Sequence, residues 1–219
     1  MASGESTVNG HLLPDDGNID LGSSRDIGNI IAAVRAIGAV IDNSGNIGDA
    51  TTDVNVGTAN TGVTAVEYGD GHNHTTVLTI SQTDALTVAD NAALADGYLL
   101  YTFPAGAIAV NSATMSMAVT LAEDTTATPE VGLGTTEGSG ANATLGAADA
   151  ACENILGPAT ADDCAGTAEL LTGVSALAIE AAGDHTVFFN VADTWADTAG
   201  SDLTGDIAGT VVINWTLLA

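Results

Sequence analysis

The chain has 219 residues, 46% of them hydrophobic, with 28 acidic side chains against 2 basic ones and a net charge of −26. That length predicts one hydrophobic core of roughly 150 residues plus an additional segment. The near absence of cations excludes nucleic acid, anionic membrane surfaces and phosphate groups gripped by a cationic side chain, because all three recruit Lys or Arg.

The imbalance comes from missing bases. Charged residues make up 14% of the chain, below the ~25% of an average soluble domain, and Arg25 and Arg35 are the only cations. A field of one sign keeps copies apart and repels DNA. An extracellular module adapted to high salt fits the same composition.

Residues 1–10 are polar and lack a basic stretch followed by an apolar run, so no export signal is expected. Residues 1–60 read as an extended N-terminal arm, rich in Gly, Asn, Asp and Ser and without an aromatic residue. Gly-Asn-Ile occurs at Gly17, Gly28 and Gly45, spacings too irregular for a solenoid. Brief β segments and turns are predicted here. Over Ile30 to Ile41, residues Ile30, Ile31, Val34, Ile37, Val40 and Ile41 also fit helical spacing, while Gly38 and the β-branched side chains favour strand. Either conformation leaves an apolar face that needs a partner. The apolar stretch from Ile27 to Ile41 is too short and too interrupted to span a membrane.

Residues 61–219 have the pattern of an all-β domain. Strands are predicted at Val63 to Tyr68, Thr75 to Ile80, Tyr98 to Phe103, Met115 to Leu121, Val187 to Val191 and Thr210 to Leu217. Alternation places Met115, Met117, Val119 and Leu121 on one sheet face, and likewise Val211, Ile213, Trp215 and Leu217. Gly69-Asp70-Gly71, Pro104-Ala105-Gly106, Glu123-Asp124, Gly183-Asp184 and Gly205-Asp206 read as turns. Residues 132–173 read as long loops with at most a short helix near Ala147 to Leu156, and Gly132-Leu133-Gly134 as a flexible turn or linker. The predicted architecture is an antiparallel, jelly-roll-like β-sandwich behind the arm. Its core holds few aromatic rings, since these are only 4% of residues. Cys152 and Cys164 are compatible with a disulfide across a short loop and equally with two buried thiols.

No catalytic constellation stands out. His11, His72, His74 and His185 lie in no motif with a mechanism attached. His72 and His74, two apart and near Glu67 and Asp70, would share a strand face and could ligate a metal, but the segment reads more simply as a hairpin turn with solvated polar side chains. Asp193, Asp197, Asp202 and Asp206 offer hard oxygen ligands for calcium without the spacing of an EF-hand. Paired carboxylates for glycoside hydrolysis would lack the aromatic platforms that sugar sites use. The expectation is a protein without catalytic residues, resident metal or cofactor.

Asn18 to Ala32 reads Asn-Ile-Asp-Leu-Gly-Ser-Ser-Arg-Asp-Ile-Gly-Asn-Ile-Ile-Ala. This resembles a short element of tailed-bacteriophage fibre and virion proteins, in which Asp-Leu-Gly-Ser precedes a basic residue, an aromatic and Asn-Ile-Tyr-Ala. Asp20, Leu21, Gly22, Ser23, Arg25, Asn29, Ile30 and Ala32 match, whereas Ile27 and Ile31 occupy the aromatic positions and the spacing is one residue shorter. Thr61 to Glu67, His74 to Ile80, Tyr98 to Leu121 and Phe188 to Leu217 are similar to small virion proteins of marine tailed phages. The resemblance implies a decoration or cement protein on the capsid exterior, bound to the major capsid protein, or a short fibre meeting a host surface receptor through the 132–173 loops. With the apolar arm it points to a homotrimer whose assembly residues are Asp20, Leu21, Gly22, Ser23, Arg25, Asn29, Ile30, Ile31, Val34, Arg35 and Ile37.

Overall fold

The computed structural model describes residues 6–8, 11–13, 57–69, 72–89, 93–121, 126–161, 163–167, 169–173, 177–179, 185–195 and 202–218. In chain order the strands are β1 (Ser6–Val8), β2 (His11–Leu13), β3 (Thr58–Ala59), β4 (Val63–Gly69), β5 (Asn73–Ala89), β6 (Ala95–Thr102), β7 (Ala107–Leu121), β8 (Glu130–Gly134), β9 (Leu156–Thr160), β10 (Glu169–Gly173), β11 (Leu177–Ile179), β12 (Thr186–Ala192) and β13 (Asp202–Leu218). β1 and β2 pair antiparallel, flanking in sequence Asn9-Gly10, the dipeptide that two-residue hairpins favour.

The other strands form two antiparallel sheets packed face to face, the expected all-β sandwich. The larger, sheet one, runs β10-β7-β13-β5-β4, with β11 also against β7, and the smaller, sheet two, runs β3-β6-β12-β8-β9. The chain repeatedly crosses between them, so most neighbours within a sheet are distant in sequence. Inward side chains of both sheets meet in one core that includes Leu78, Leu86, Met115, Phe189, Val211 and Trp215. The alternation predicted for Met115 to Leu121 and Val211 to Trp215 is the one observed.

Several strands are longer than predicted. β5 continues to Ala89 and β13 begins at Asp202, so Gly205-Asp206 is no turn. It is an irregularity inside β13, where Thr83, Asp84 and Ala85 on β5 lie opposite the single residue Asp206. Asp84 takes a φ of 51° there, and its N–H donates to Asp206 Oδ1 at 2.9 Å.

Residues 132–173 are also more ordered than a loop reading allows. Val131 and Leu133 of β8 point into the core, while Gly132 and Gly134 face outward beneath a helical cover made by α1 (Leu145–Ala148) and a 3-10 turn at Ala150–Cys152. A Cβ on Gly134 would stand 2.1 Å from the Ala151 carbonyl oxygen, and one on Gly132 would stand 3.0 Å from that of Leu156. These glycines serve close approach, not flexibility. Leu145 and Cys152 bury against Ala95 and Ala192 under the cover.

Asn190 pins the cover. From the outward face of β12 its Nδ2 donates to Cys152 O at 2.7 Å and Thr136 O at 3.0 Å, and its Oδ1 accepts from Gly138 N at 2.8 Å. Its neighbour Gly97 leaves the necessary space, since a Cβ there would meet Asn190 Oδ1 at 2.1 Å. Cys152 and Cys164, between which the sequence left a disulfide open, are both buried thiols in separate clusters. Burial, followed by the charges of Asp149 and Glu153, pushes the Cys152 thiol up, away from a reactive thiolate.

Replacing Asn190 with Ala should lower unfolding stability by about 2–4 kcal/mol in denaturant titration, because two buried and one partly buried backbone partner lose their bonds at once. A second prediction concerns Asp96, whose carboxyl is raised above its ordinary 3.8 by burial, partly offset by N–H bonds from Thr87 and Gly97. The folded state then holds this proton more tightly than the unfolded one, so the group's contribution to stability falls as pH rises from 3.8 through the raised value. Asp96→Asn keeps an acceptor for Thr87 N–H, so its melting temperature should exceed the natural protein's at neutral pH, and the difference should vanish in acid.

Candidate functional site: the root of the N-terminal segment

The described sandwich starts at Gly57, where the N-terminal segment joins it, and the surrounding residues form its most polar buried cluster. Gly57 N–H donates to Tyr101 Oη at 2.9 Å and to Glu67 Oε1 at 3.3 Å. The Tyr101 hydroxyl donates in turn to Glu67 Oε1. A side chain at residue 57 would collide with Tyr101, since its Cβ would lie 2.2 Å from the phenol oxygen.

The next residues clamp both sheets. Thr58–Ala59 pairs with β6. Asn60 donates from its backbone to Leu100 O at 3.0 Å and from Nδ2 to Leu99 O at 2.9 Å. Gly62, at a φ of 68° that favours glycine, accepts from Ser81 N at 2.8 Å as the chain turns into β4. The entry is thus fastened to sheet two by β3 and to sheet one by β4.

Glu67 points inward from β4 and is 5% exposed, and His74 points inward from β5 and is 2% exposed. Glu67 Oε2 and His74 Nδ1 are 3.6 Å apart, and neither atom has a hydrogen-bond partner, nor does His74 Nε2. The His74 ring lies flat on the Trp215 indole, with centroids 3.9 Å apart and planes 8° from parallel. Trp215 Nε1 donates to Thr76 Oγ1 at 2.8 Å, and Phe103 packs edge-on against both Trp215 and Tyr101. Three of the core's aromatic rings, Tyr101, Phe103 and Trp215, thus gather around one carboxylate and one imidazole. A buried carboxylate is costly unless it is bonded or paired. Here a hydroxyl, a backbone N–H and an imidazole surround it.

The structure brings only part of the predicted residues together. His74 and Glu67 meet, but His72 is exposed in the turn before β5 and does not share their face. The reading of this turn as solvated polar side chains is therefore corrected for His74: β5 starts at Asn73, which places His74 in the inward series with Thr76, Leu78 and Ile80. Asp70 lies outside the described residues. Among the four aspartates, Asp193 accepts from Thr194 N at 2.6 Å, Asp206 is engaged with Asp84, Asp202 is exposed at the start of β13, and Asp197 lies outside the described residues. No group of three or more His, Cys, Asp or Glu among the described residues has the arrangement of a metal site. The assembly residues Asp20, Leu21, Gly22, Ser23, Arg25, Asn29, Ile30, Ile31, Val34, Arg35 and Ile37 all lie outside the described residues.

Sequence reasoning missed the roles of Gly57, Tyr101 and Asn190, which carry no motif. It also missed Glu130 and Glu153 beside the cover. Glu130 Oε2 accepts from Leu145 N at 2.5 Å, and the Glu153 carboxyl is pushed up by burial and then by the charge of Glu130. No helix among the described residues is long and apolar enough to cross a membrane. No family model, curated protein or solved structure matches the chain.

Tyr101→Phe keeps the ring and removes the hydroxyl that links Gly57 to Glu67. It should cost about 1–3 kcal/mol of stability. Hydrogen exchange at the Gly57 amide should accelerate at least as much as that loss requires, while β13 amides opening only by global unfolding follow the change in overall stability.

Proposed function

We propose that this chain is a virion structural protein: a homotrimeric decoration protein on the outer surface of a tailed-phage capsid, bound to the major capsid protein through its N-terminal arm. The observation that carries this reading is the clamped root at Gly57, which fixes the point where the arm leaves the sandwich to both sheets. A tether that bears load between a shell and an exposed domain needs such an attachment. The Asp20 to Ser23 element with Arg25 supports it from the sequence, and these residues precede the root by a few dozen positions.

Composition supports the exterior placement. Both arginines lie in the arm, so the arm alone can pair cations with an acidic shell surface, while the sandwich offers carboxylates to the solvent. The protein acts by binding and not by catalysis. A fibre contacting a host receptor is the weaker reading, because much of the 132–173 segment on which it depends is folded down as β8, the cover and β9.

Deleting residues 1–47 should leave the circular dichroism spectrum of the sandwich unchanged and reduce binding to undecorated capsids by more than about 100-fold, as expected when the extended interface is removed. Undiminished capsid binding by the truncated chain would refute the arm's role. Antibody labelling confined to the tail end of particles would favour the fibre reading.

A further inference from the structure

The two outer faces of the sandwich are unlike. Sheet two carries the helical cover with exposed Glu137 and Asp149. Among the described residues no such cover lies over β4, β5, β13 and the adjoining part of β7 in sheet one, and the outward side chains there from Asn73 to Ser81 and across the paired strands include no carboxylate, imidazole or cation. In a chain of net charge −26 this is a large neutral window.

Its composition is ordered in rows. Val66, Val77 and Val212 stand side by side on three neighbouring strands, and Thr64, Thr79 and Thr210 form the next row. Beyond the valines the polar groups satisfy one another: Thr75 Oγ1 donates to Asn214 Oδ1 at 2.8 Å, and Asn214 Nδ2 donates to Ser112 Oγ at 2.9 Å. Asn111 Nδ2 donates to Thr216 Oγ1 at 3.0 Å. Tyr68 and Leu218, 41% and 45% exposed, are the exposed large hydrophobic side chains of the described residues, and both lie on this face. Towards the other end of the same sheet the character reverses, with exposed Asp84, Asp202 and Asp206.

We infer that this window is where a second copy of the chain packs, face to face, in a two-fold contact. Charge selects the occupant. Copies carrying −26 each repel wherever carboxylates face one another. The neutral window lets two copies meet with no carboxylate at the contact, and the bonds among Thr75, Asn214 and Ser112 and between Asn111 and Thr216 lower the cost of drying that part of it. With strands about 4.8 Å apart and about 3.4 Å per residue, four strands over this span cover roughly 500 Å² per copy. A pair then buries about 1,000 Å², the lower edge of specific interfaces. The contact is therefore weak and governed by salt, and it is independent of whatever unit the arm builds.

Sedimentation velocity of the full chain at one protein concentration tests this. Raising NaCl from about 0.05 M to about 1 M shrinks the Debye length to roughly 3 Å, and the mass of the assembling unit should double. Val77→Asp combined with Val212→Asp should abolish the doubling without altering the low-salt unit, while Thr204→Asp, at the acidic end, should leave it intact. A nitroxide on Thr79→Cys provides a readout that does not depend on the paired variant folding: its spectrum should broaden only at high salt. No doubling at high salt, doubling that survives in a folded paired variant, or a label insensitive to salt overturns the inference. Loss of the low-salt unit on deleting residues 1–47, with doubling retained, separates this contact from arm-mediated assembly.

Discussion

The pairing of β13 with β5 on one side and β7 on the other is the constraint on which the rest of the molecule depends. β13 runs from Asp202 to Leu218, is bonded along most of its length to both neighbours, and delivers Val211, Ile213 and Trp215 to the core. Trp215 then supports the far end of the chain, stacking on His74, which faces Glu67, which holds Gly57. The last strand in the sequence thus secures the root of the first segment. Contacts of such long separation must wait until the whole chain is available, so folding of this topology is intrinsically slow.

A second theme is how a chain without lysine handles its carboxylates. In most proteins half-buried acids find cations. Here acids both buried and exposed find backbone N–H groups: Glu67 takes Gly57, Asp96 takes Thr87, Glu130 takes Leu145, Asp149 takes Ala151, Asp163 takes Ala165 and Asp206 takes Asp84. Each bond fixes a local bend, a cap or a chain entry. Charged acceptors strengthen such bonds, and their short range makes them far less sensitive to salt than ion pairs between distant side chains. Among the described residues Glu137, Asp84 and Asp202 lie exposed at the surface, while Glu153 stays partly buried beside Glu130.

Much of the fold was legible in the sequence because alternation is a local signal. Each of the six predicted strands lies within or largely overlaps an observed one, and the inward series Met115 to Leu121 was readable from side-chain type alone. The same signal was present at His74, Thr76, Leu78 and Ile80, but two histidines near a Gly-Asp-Gly turn suggested solvent. Residues 132–173 misled for a related reason. Glycine is ambiguous between freedom and close approach, and what distinguishes the two is the position of another segment, the 3-10 turn over Gly134. The clamp at Gly57 was illegible because Glu67 and Tyr101 are 34 residues apart and share no motif.

The sequence by itself determined the fold class and the character of the chain: the charge of a single sign, the period-two pattern that makes sheets, and the scarcity of rings in the core. Those properties follow from side-chain chemistry and from spacing along a single strand. The tertiary structure alone decided which carboxylate is buried against an imidazole, which asparagine fastens the cover, and which sheet face is left neutral. Each of these depends on the register between strands far apart in the chain, and register is set by the joint packing of both sheets, not by any one segment.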